Sequence, residues 1–311
     1  MATKKIPETA FEQKLAELKT LAGDYNPEIA AMLGEIEKKV RESSDNSVQV
    51  WKKVALARHP DRPYSLDYIE RIFDGFVELH GDRSFGDDPA IVGGLAMLDG
   101  IPVTIIANQK GRTLKDNMRR NHGMANPEGY RKALRLAQQA EKFLRPIITF
   151  VDTAGAYPGI GAEERGIGEA IARNLRDFSR LATPVVCVII GEGGSGGALG
   201  LCVGDKIYML ENAIYSVISP EGAASILLRD SSKAKEAAAM LRITSDDLQT
   251  FGLINGVIKE PPEGAQTNVD ETAAAIKKIL VRDIKDLTER NPQVLVRYRT
   301  RKIRKIGHWS E

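Results

Sequence analysis

The chain has 311 residues, 42% of them hydrophobic and 28% charged, and its formal net charge is +2. This length allows one large or two moderate domains with a sizeable core, and the balanced charge gives no general attraction to nucleic acid. Cys187 and Cys202 lie in apolar stretches without a C-x-x-C pair, so we expect neither a disulfide framework nor a metal site in this chain. No apolar run approaches the roughly 20 residues that span a bilayer, and no signal peptide is recognisable, so we expect a cytoplasmic protein without a membrane partner.

Residues 1–50 predict an N-terminal helical arm. Two apolar stripes recur there at helical spacing, namely Phe11, Leu15, Leu18 and Leu21, and then Ala30, Leu33, Ile36 and Val40. Asn26-Pro27 lies between the stripes, so the simplest interpretation is a helical hairpin. We expect these helices to form an accessory or interaction arm.

The main domain, predicted for residues 51–290, begins its regular pattern with a β-hairpin. Ile91–Leu98 and Ile101–Asn108 are strand-like runs joined by Asp99-Gly100, a dipeptide typical of hairpin turns. A polar loop follows, and then a helix with Asn126 as its N-cap and Pro127 as its first residue. The inner face of this helix is predicted to carry Tyr130, Ala133, Leu134, Ala137 and either Ala140 or Leu144.

Strands and helices then alternate along the chain. We expect strands at 147–151, 185–190, 206–210, 214–218 and 252–259, and helices at 163–181, 220–228 and 271–287. This alternation implies a layered α/β domain, and two strand-strand-helix units favour a spiral of ββα units over a simple doubly wound sheet. Residues 291–311 are predicted to form a basic C-terminal tail.

Residues 191–200, GEGGSGGALG, follow a strand-like run and contain the pattern G-x-G-x-x-G. The pattern is typical of dinucleotide-binding turns, and Glu211 lies near the distance expected for a ribose-binding acid. However, the next segment is short and rich in glycine, and no Lys-Ser or Lys-Thr follows as in a phosphate-binding loop. Two other interpretations stay open: a tight turn against another backbone, and a helix N-terminus whose N–H groups bind an anion or oxyanion.

Seven stretches between residues 55 and 227 carry a resemblance to a known family. They are ALARHPDRPYSLDYI, FGDDPAIVGG, NQKGR, NPEGYRKALRLA, AGAYPGIGAEERGIGEAIARNL, GEGGSGGALG and YSVISPEGAASIL. Together they closely resemble the carboxyltransferase alpha subunits of bacterial and plastid-type acetyl-coenzyme A carboxylases. The resemblance implies a crotonase-like α/β fold, a spiral of ββα units, and a location in the cytoplasm or in the plastid stroma.

The resemblance also implies an activity and partners. Family members transfer the carboxyl group of carboxybiotin, carried on biotin carboxyl carrier protein, to acetyl-CoA and form malonyl-CoA for fatty acid synthesis. They act as an α2β2 assembly with a beta subunit, which carries a zinc ribbon, and biotin carboxylase is a further partner. Biotin is thus the implied cofactor, held by another protein, and the chain is expected to be inactive without its beta subunit.

The resemblance assigns residues to the site. The backbone N–H groups of Gly196 and Gly197 would form the oxyanion hole for the ureido oxygen of biotin. Residues expected to shape the biotin side, or to attract the carboxylate or the coenzyme phosphates, are Gly193, Gly194, Ala154, Gly155, Tyr157, Gly159, Lys110, Arg112 and Arg131. Many relatives have proline where this chain has Ala154. Glu163 and Glu164 are expected to open a helix, with Arg165 as a partner for one of them.

Two alternatives stay open. A different crotonase-like enzyme acting on an acyl-CoA, such as a hydratase, would need a glutamate pair directed at the acyl chain, and the sequence assigns none. The basic stretch RYRTRKIRK at 297–305 could instead follow nucleic-acid phosphates. Such stretches are more often solvated or involved in subunit contacts, so we do not expect nucleic acid binding.

Overall fold

The computed structural model describes residues 8–307, which divide into two compact units between Trp51 and Lys52. Residues 1–7 of the predicted arm and 308–311 of the predicted tail lie outside the described residues. The first unit contains helix α1, Glu8–Tyr25, and most of α2, Pro27–Ala57. Lys19 and Glu37 form an ion pair between these helices at 3.0 Å, and the predicted pair of helices is present.

The second unit is built on a mixed sheet, whose eight strands lie within the described residues. The strands are β1 (Asp74–Glu78), β2 (Ile91–Leu98), β3 (Ile101–Asn108), β4 (Ile147–Thr153), β5 (Val185–Gly194), β6 (Lys206–Leu210), β7 (Ile214–Ser216) and β8 (Gly256–Ile258). The order is β1-β2-β3-β4-β5-β6-β8, and β7 pairs with β5 beyond the end of the β5–β6 ladder. Pairing is antiparallel among β1, β2 and β3 and parallel elsewhere.

Helices surround this sheet and connect its parallel strands. They are α3 (Ser65–Ile72), α4 (Leu114–Arg119), α5 (Pro127–Lys142), α6 (Ile160–Glu164), α7 (Ile167–Phe178), α8 (Ser195–Leu199), α9 (Pro220–Ala223), α10 (Ala234–Leu241), α11 (Ser245–Thr250), α12 (Val269–Thr288) and α13 (Pro292–Arg304). A π-helical turn, Ala224–Leu228, continues α9. Parallel strands require such crossovers, because the chain leaves one strand at one end of the sheet and must enter the next strand at the opposite end.

The core of the second unit lies around β4 and β5. Every residue of β4 is buried, as are the residues of β5 as far as Gly191. A strand buried on both faces reads as a continuous apolar run, which explains why both strands were recognisable from sequence. The inner face of α5 is buried as predicted up to Ala140, whereas Leu144 is exposed beyond the end of the helix.

Two predicted elements differ from the structure. The single helix expected at 163–181 is broken by Gly166, whose φ of 80° separates α6 from α7. Glu163 and Glu164 therefore end the short α6 instead of opening a long helix, and Arg165 pairs with Glu128 at 2.8 Å. The second strand-strand unit is not a hairpin, because β6 and β7 each pair in parallel with β5.

The basic stretch near the C-terminus contains a helix attached to the second unit. Arg299 of α13 is buried and forms an ion pair with Asp205 at 2.6 Å. Lys302 donates hydrogen bonds to the backbone carbonyls of Gly204 and Asp205, both at 3.1 Å. At least these two positive charges are therefore engaged inside the protein.

Candidate active site

The glycine-rich segment forms a sharp turn from strand to helix. Strand β5 continues through Gly193 and Gly194, and α8 begins at the next residue, Ser195. Ser195 has a φ of 50°, a left-handed conformation that residues other than glycine seldom adopt. Gly193 is paired with Thr153 of β4 on one side and with Tyr215 of β7 on the other, so neighbouring strands fix the entry to the turn.

Two of the glycines allow a direct backbone contact with the loop after β4. A Cβ atom on Gly194 would overlap the carbonyl group of Ala154, and one on Gly197 would overlap the backbone of Gly155 and Ala156. A backbone cannot move aside as a flexible side chain can, so both positions require glycine. The segment therefore makes the tight turn that the sequence suggested, and this turn coincides with a helix N-terminus.

Gly196 lies in a more open environment than Gly197. A Cβ atom on Gly196 would meet only the side chain of Ile171, at the ordinary contact distances of 3.8 and 3.9 Å. The first N–H groups of a helix have no intrahelical acceptor, and no side chain caps α8. The N–H groups of Gly196 and Gly197 can therefore donate to an outside acceptor, and the helix dipole favours a negatively charged one.

The loop after β4 contains four of the predicted site residues, Ala154, Gly155, Tyr157 and Gly159. The Thr153 hydroxyl accepts a hydrogen bond from the N–H of Gly155 at 3.2 Å and donates to its carbonyl at 2.6 Å. The N–H of Tyr157 donates to the carbonyl of Ala125 at 3.0 Å. Ala154 and Gly155 thus contact the glycine turn directly, whereas Tyr157 and Gly159 lie further along the same loop.

A cluster of five charged residues lies beside the glycine turn. Lys110 Nζ is 2.7 Å from Asp152 Oδ1 and 3.5 Å from Glu192 Oε2. The same Asp152 oxygen accepts the backbone N–H of Glu192 at 2.9 Å. Arg58 then joins Glu192, at 2.8 Å, to Glu221, at 2.7 Å. We call these five residues the open cluster, because Arg58 and Glu221 are partly exposed.

The open cluster determines the charge of Lys110. Burial lowers the pKa of Lys110, but the carboxylates of Asp152 and Glu192 outweigh burial and raise the pKa above its ordinary value. Lys110 is therefore a permanent cation near the turn. Its nearest partner is Asp152, near the end of β4, so its charge stabilises that strand end beside the glycine turn.

The other two predicted basic residues are engaged elsewhere. Arg112 contacts Asp67 at 2.5 Å and lies 4.0 Å above the ring of Tyr64. Arg131 forms an ion pair with Asp82 at 2.8 Å and donates to the carbonyl of Arg165 at 3.1 Å. Each guanidinium is thus used in internal contacts, and the structure does not bring either one together with the glycine turn.

Sequence reasoning missed Asp152, Glu192 and Arg58. A signal was present for the first two, since Asp152 ends a buried apolar strand and Glu192 is a charged residue within the glycine pattern. Buried charges require partners, so each implied a cation nearby. Arg58 gave no comparable signal, because it lies 134 residues from Glu192 in sequence.

A cavity of about 690 Å³ opens beside the start of α8. Ser195 and Gly196 form part of its wall, and apolar side chains line most of the rest, among them Leu175, Leu199, Ile207, Val217, Leu253 and Ile303. This volume falls in the range of small-molecule sites, which are usually apolar with a few directed polar groups. The glycine turn thus borders a concave space large enough for a small organic ring.

The described residues give two further results. In residues 8–307 no three His, Cys, Asp or Glu side chains are grouped so that they could hold a metal ion. No helix in the same part of the chain is long and apolar enough to cross a membrane.

Solved structures share this fold at low sequence identity. The transcarboxylase 12S structure, with methylmalonyl-coenzyme A and methylmalonic acid bound, matches with a TM-score of 0.55 and 23% identity, over 69% of this chain and 41% of that chain. A Pseudomonas malonate decarboxylase hetero-tetramer in complex with coenzyme A matches with a TM-score of 0.57 and 19% identity, over 71% of this chain and 91% of that chain. These neighbours confirm the predicted crotonase-like α/β fold.

Sequence relatives match over nearly the whole chain. The acetyl-coenzyme A carboxylase carboxyl transferase subunit alpha of Treponema denticola is 64% identical over 297 residues, which are 96% of this chain and 97% of the relative. The protein of the same name from Geobacillus kaustophilus is 52% identical, over 98% of this chain and 94% of the relative. A family model described as acetyl co-enzyme A carboxylase carboxyltransferase-like matches residues 3–307. The chain therefore belongs to the acetyl co-enzyme A carboxylase carboxyltransferase family, as the sequence motifs indicated.

Proposed function

We propose that this chain is the alpha subunit of a multi-subunit acetyl-CoA carboxylase and that it acts with a beta subunit in an α2β2 assembly. Together they transfer the carboxyl group of carboxybiotin, on biotin carboxyl carrier protein, to acetyl-CoA and form malonyl-CoA. The observation that carries this proposal is the uncapped start of α8, where Gly196 lines an apolar cavity and Gly197 is the next residue of the helix. Residues 1–50 are proposed as an accessory arm of this subunit, and biotin carboxylase as a further partner.

The residues present fit the urea group of biotin. The donors at the turn are backbone N–H groups, which suit the carbonyl oxygen of a planar urea. The adjoining cavity wall is mostly apolar, which suits the bicyclic ring that carries this urea. Gly196 and Gly197 would hold the ureido oxygen, with Ala154, Gly155, Tyr157 and Gly159 on the neighbouring loop. When bound, carboxybiotin supplies the carboxyl group and a ring nitrogen that can take a proton from acetyl-CoA.

The contribution of this chain is electrostatic. An N–H group fixed by the backbone needs no reorganisation when negative charge develops on the oxygen that it binds, and one such donor is worth roughly 3 to 4 kcal/mol in a transition state. The contact of Gly197 with Gly155 and Ala156 holds α8 in place, so both donors keep their direction. Lys110 stabilises the same region through Asp152, whose carboxylate binds the backbone at Glu192.

A hydratase-like activity is less well supported. It requires a carboxylate free to exchange protons with the acyl chain, whereas Asp152 and Glu192, the carboxylates next to the turn, both form ion pairs. Glu163 and Glu164 lie in the short α6, where both are exposed. The carboxyltransferase function needs no carboxylate from this chain, because the proton acceptor belongs to the substrate.

The proposal is tested by reconstitution with a beta subunit and by removal of one donor. We expect malonyl-CoA formation only when this chain, a cognate beta subunit and biotin or its carrier are mixed. Gly196→Pro removes an N–H group that is not used inside the helix; because proline also restricts the backbone of Ser195 before it, urea unfolding of the variant must show an intact fold. Turnover should fall roughly 100-fold to 1,000-fold, the loss typical of one oxyanion donor.

Gly196→Ala is the matched control, because its Cβ atom makes only ordinary contacts with the side chain of Ile171 and the variant keeps the N–H group. It should retain turnover within a few-fold of the original chain. Equal loss of turnover in both variants would show that the N–H group of Gly196 does not contribute to the site. Robust turnover by the isolated chain would contradict the requirement for a beta subunit. Gly197→Val, which from the sequence alone should depress turnover without unfolding the protein, is unsuitable as a probe, because its side chain would collide with the backbone of Gly155 and Ala156.

A further inference from the structure

The carbonyl of Gly197 in α8 is bound by a side chain. In a continuous α-helix this carbonyl would accept the N–H of Leu201, but that N–H donates to the carbonyl of Ala198 instead, at 3.1 Å. The Gly197 carbonyl accepts the hydroxyl of Tyr130, a residue of α5, at 3.2 Å. Tyr130 thus satisfies a backbone acceptor that the short helix leaves open at its end.

The surroundings of Tyr130 show what its hydroxyl contributes. The side chain is completely buried, and its ring packs against the backbone just after α8, since a Cβ atom on Gly200 would lie 2.8 Å from the ring. A phenylalanine would fill the same space, whereas a buried tyrosine hydroxyl needs a hydrogen-bond partner. Burial, together with the carboxylate of Asp88, raises the pKa of Tyr130, so the hydroxyl stays protonated and acts as a donor.

A second buried side chain binds the same segment. Asn174 of α7 is 1% exposed and donates to the carbonyl of Gly200, the residue after α8, at 3.1 Å. Helices α5 and α7 therefore each supply one donor to the carbonyls of residues 197–200. A helix of five residues has little stability of its own, and no side chain caps the start of α8, so its direction depends on such contacts.

We propose that Tyr130 is a positioning residue of the site, whose hydroxyl fixes the direction of α8 and thereby that of the N–H groups of Gly196 and Gly197. The carbonyl that Tyr130 binds belongs to Gly197 itself, so a shift at this hydrogen bond reaches the donors directly. Hydrogen bonds weaken steeply when the donor turns away from its acceptor, and a misplacement of about 1 Å can cost roughly 100-fold in rate. The effect on turnover rests on the proposed function, whereas the hold of Tyr130 on α8 does not.

Hydrogen–deuterium exchange of the full chain tests the hold on α8. Tyr130→Phe keeps the ring and removes only the donor. Exchange in peptides that cover residues 195–202 should become at least about threefold faster, as expected when a local structure loses one hydrogen bond. Peptides from α12 should exchange as before. Unchanged exchange at 195–202, or an equal increase in both regions, would overturn the proposal.

Tyr208→Phe is the matched control. Tyr208 is also buried, and its hydroxyl donates to Asp283 of α12 at 2.5 Å and accepts a hydrogen bond from Arg282 at 2.9 Å. Both variants lose a buried hydroxyl, so both should lower the urea midpoint of unfolding. Tyr208→Phe should speed exchange in α12 and leave residues 195–202 unchanged, which is the reverse of the pattern expected for Tyr130→Phe. Equal acceleration at 195–202 in the two variants would show general destabilisation and contradict a specific hold.

The effect on activity is measured with the beta subunit present. We expect Tyr130→Phe to lower kcat roughly tenfold and to leave KM for acetyl-CoA within about twofold, because the donors of α8 act on the biotin oxygen as charge develops there. Tyr208→Phe should keep kcat within about twofold of the original chain. Replacing Tyr130 with 4-aminophenylalanine, whose amino group supplies a donor at the same place, should recover most of the lost kcat.

The turnover measurements separate the positioning role from stability and from the proposed function. An equal fall of kcat in the two phenylalanine variants, or a rise in KM alone, would overturn the positioning role, as would faster exchange at 195–202 with unchanged kcat. If the original chain forms no malonyl-CoA with any beta subunit, the proposed function fails, while the hold of Tyr130 on α8 still stands or falls on the exchange rates.

Discussion

Two charge clusters contact strand β5, and they differ in construction. In the closed cluster, Arg62 donates two hydrogen bonds to Glu260, at 3.1 and 2.8 Å, and a third to the carbonyl of Ile190 at 2.7 Å. Glu260 also accepts N–H groups of Asn212 and Ala265. Both charged side chains are almost completely buried, at 1% and 0% exposed. Their donors and acceptors face each other, which is the geometry of a rigid support.

The open cluster contacts the next residues of the same strand. There Glu192 is shared between Arg58 and Lys110, and its contact with Lys110 is the longer one at 3.5 Å. Arg58 is 31% exposed, so solvent screens part of its interaction. The closed cluster thus contacts β5 at Ile190, directly before the glycine-rich segment, whereas the open cluster includes Glu192, which lies inside that segment. We infer that the closed cluster stabilises the fold and that the open cluster positions the glycine turn.

The largest expected effect comes from breaking the closed cluster. Glu260→Gln leaves the Arg62 guanidinium buried without a counter-charge, which typically costs about 3 to 5 kcal/mol. The free energy of unfolding, measured in urea at pH 7, should fall by that amount. Glu236→Gln is the control, because Glu236 is exposed and its contact with Lys233 is 3.9 Å long. It should change stability by less than about 1 kcal/mol, and an equal loss in both variants would contradict the role of the closed cluster.

The closed cluster also predicts a pH dependence. Burial raises the pKa of Glu260, but Arg62 and the hydrogen bonds from Asn212 outweigh burial and lower it below the ordinary value of 4.5. The unfolded chain therefore binds this proton more readily, so the stabilisation is complete above pH 4.5 and is lost as the pH falls through the lower folded pKa. Glu260→Gln should flatten the acid limb of the stability curve. An unchanged slope there would show that other groups dominate acid unfolding.

The sequence predicted those elements whose signals are local. The β2–β3 hairpin followed from Asp99-Gly100, and α5 followed from Asn126-Pro127 and its apolar face. Strand β1 was not predicted, because its five residues, DGFVE, offer neither a long apolar run nor a clear alternation. The break at Gly166 was missed because the apolar spacing from Ile167 onwards is helical, and a single glycine does not by itself end a helix.

The candidate site was predictable only in part, for a related reason. The glycines and the loop at 154–159 could be recognised, because each forms a contiguous motif. Their contact could not, since it depends on parallel pairing of β4 with β5, which places Thr153 opposite Gly193. The engagement of Lys110, Arg112 and Arg131 in ion pairs was equally hidden, because basic residues in a loop look alike whether they are free or paired.

A smaller effect is expected from Asp152→Asn in the open cluster. The variant keeps an oxygen that can accept the N–H of Glu192 but removes the negative charge that binds Lys110. We expect a loss of about 1 to 3 kcal/mol in unfolding free energy, less than for Glu260→Gln, because Glu192 still neutralises Lys110. Turnover with the beta subunit should fall at least about tenfold if Asp152 positions the turn. Asp246→Asn, which breaks an exposed pair with Lys53 of 2.6 Å, is the matched control and should leave turnover unchanged.

The smallest change in stability is expected from Arg58→Met, and this variant separates the two clusters most clearly. Because Arg58 is partly exposed, its removal should lower the unfolding free energy by no more than about 1 kcal/mol, similar to Arg71→Met in the exposed pair with Asp270. Unlike Arg71→Met, it removes one of the two cations that bind Glu192, so kcat should fall a few-fold. Arg58→Lys should recover part of this loss in kcat. If Arg58→Met destabilised the fold as strongly as Glu260→Gln, the two clusters would serve the same purpose. If it changed neither kcat nor stability, the turn would be held by the backbone contact of Gly194 and Gly197 alone.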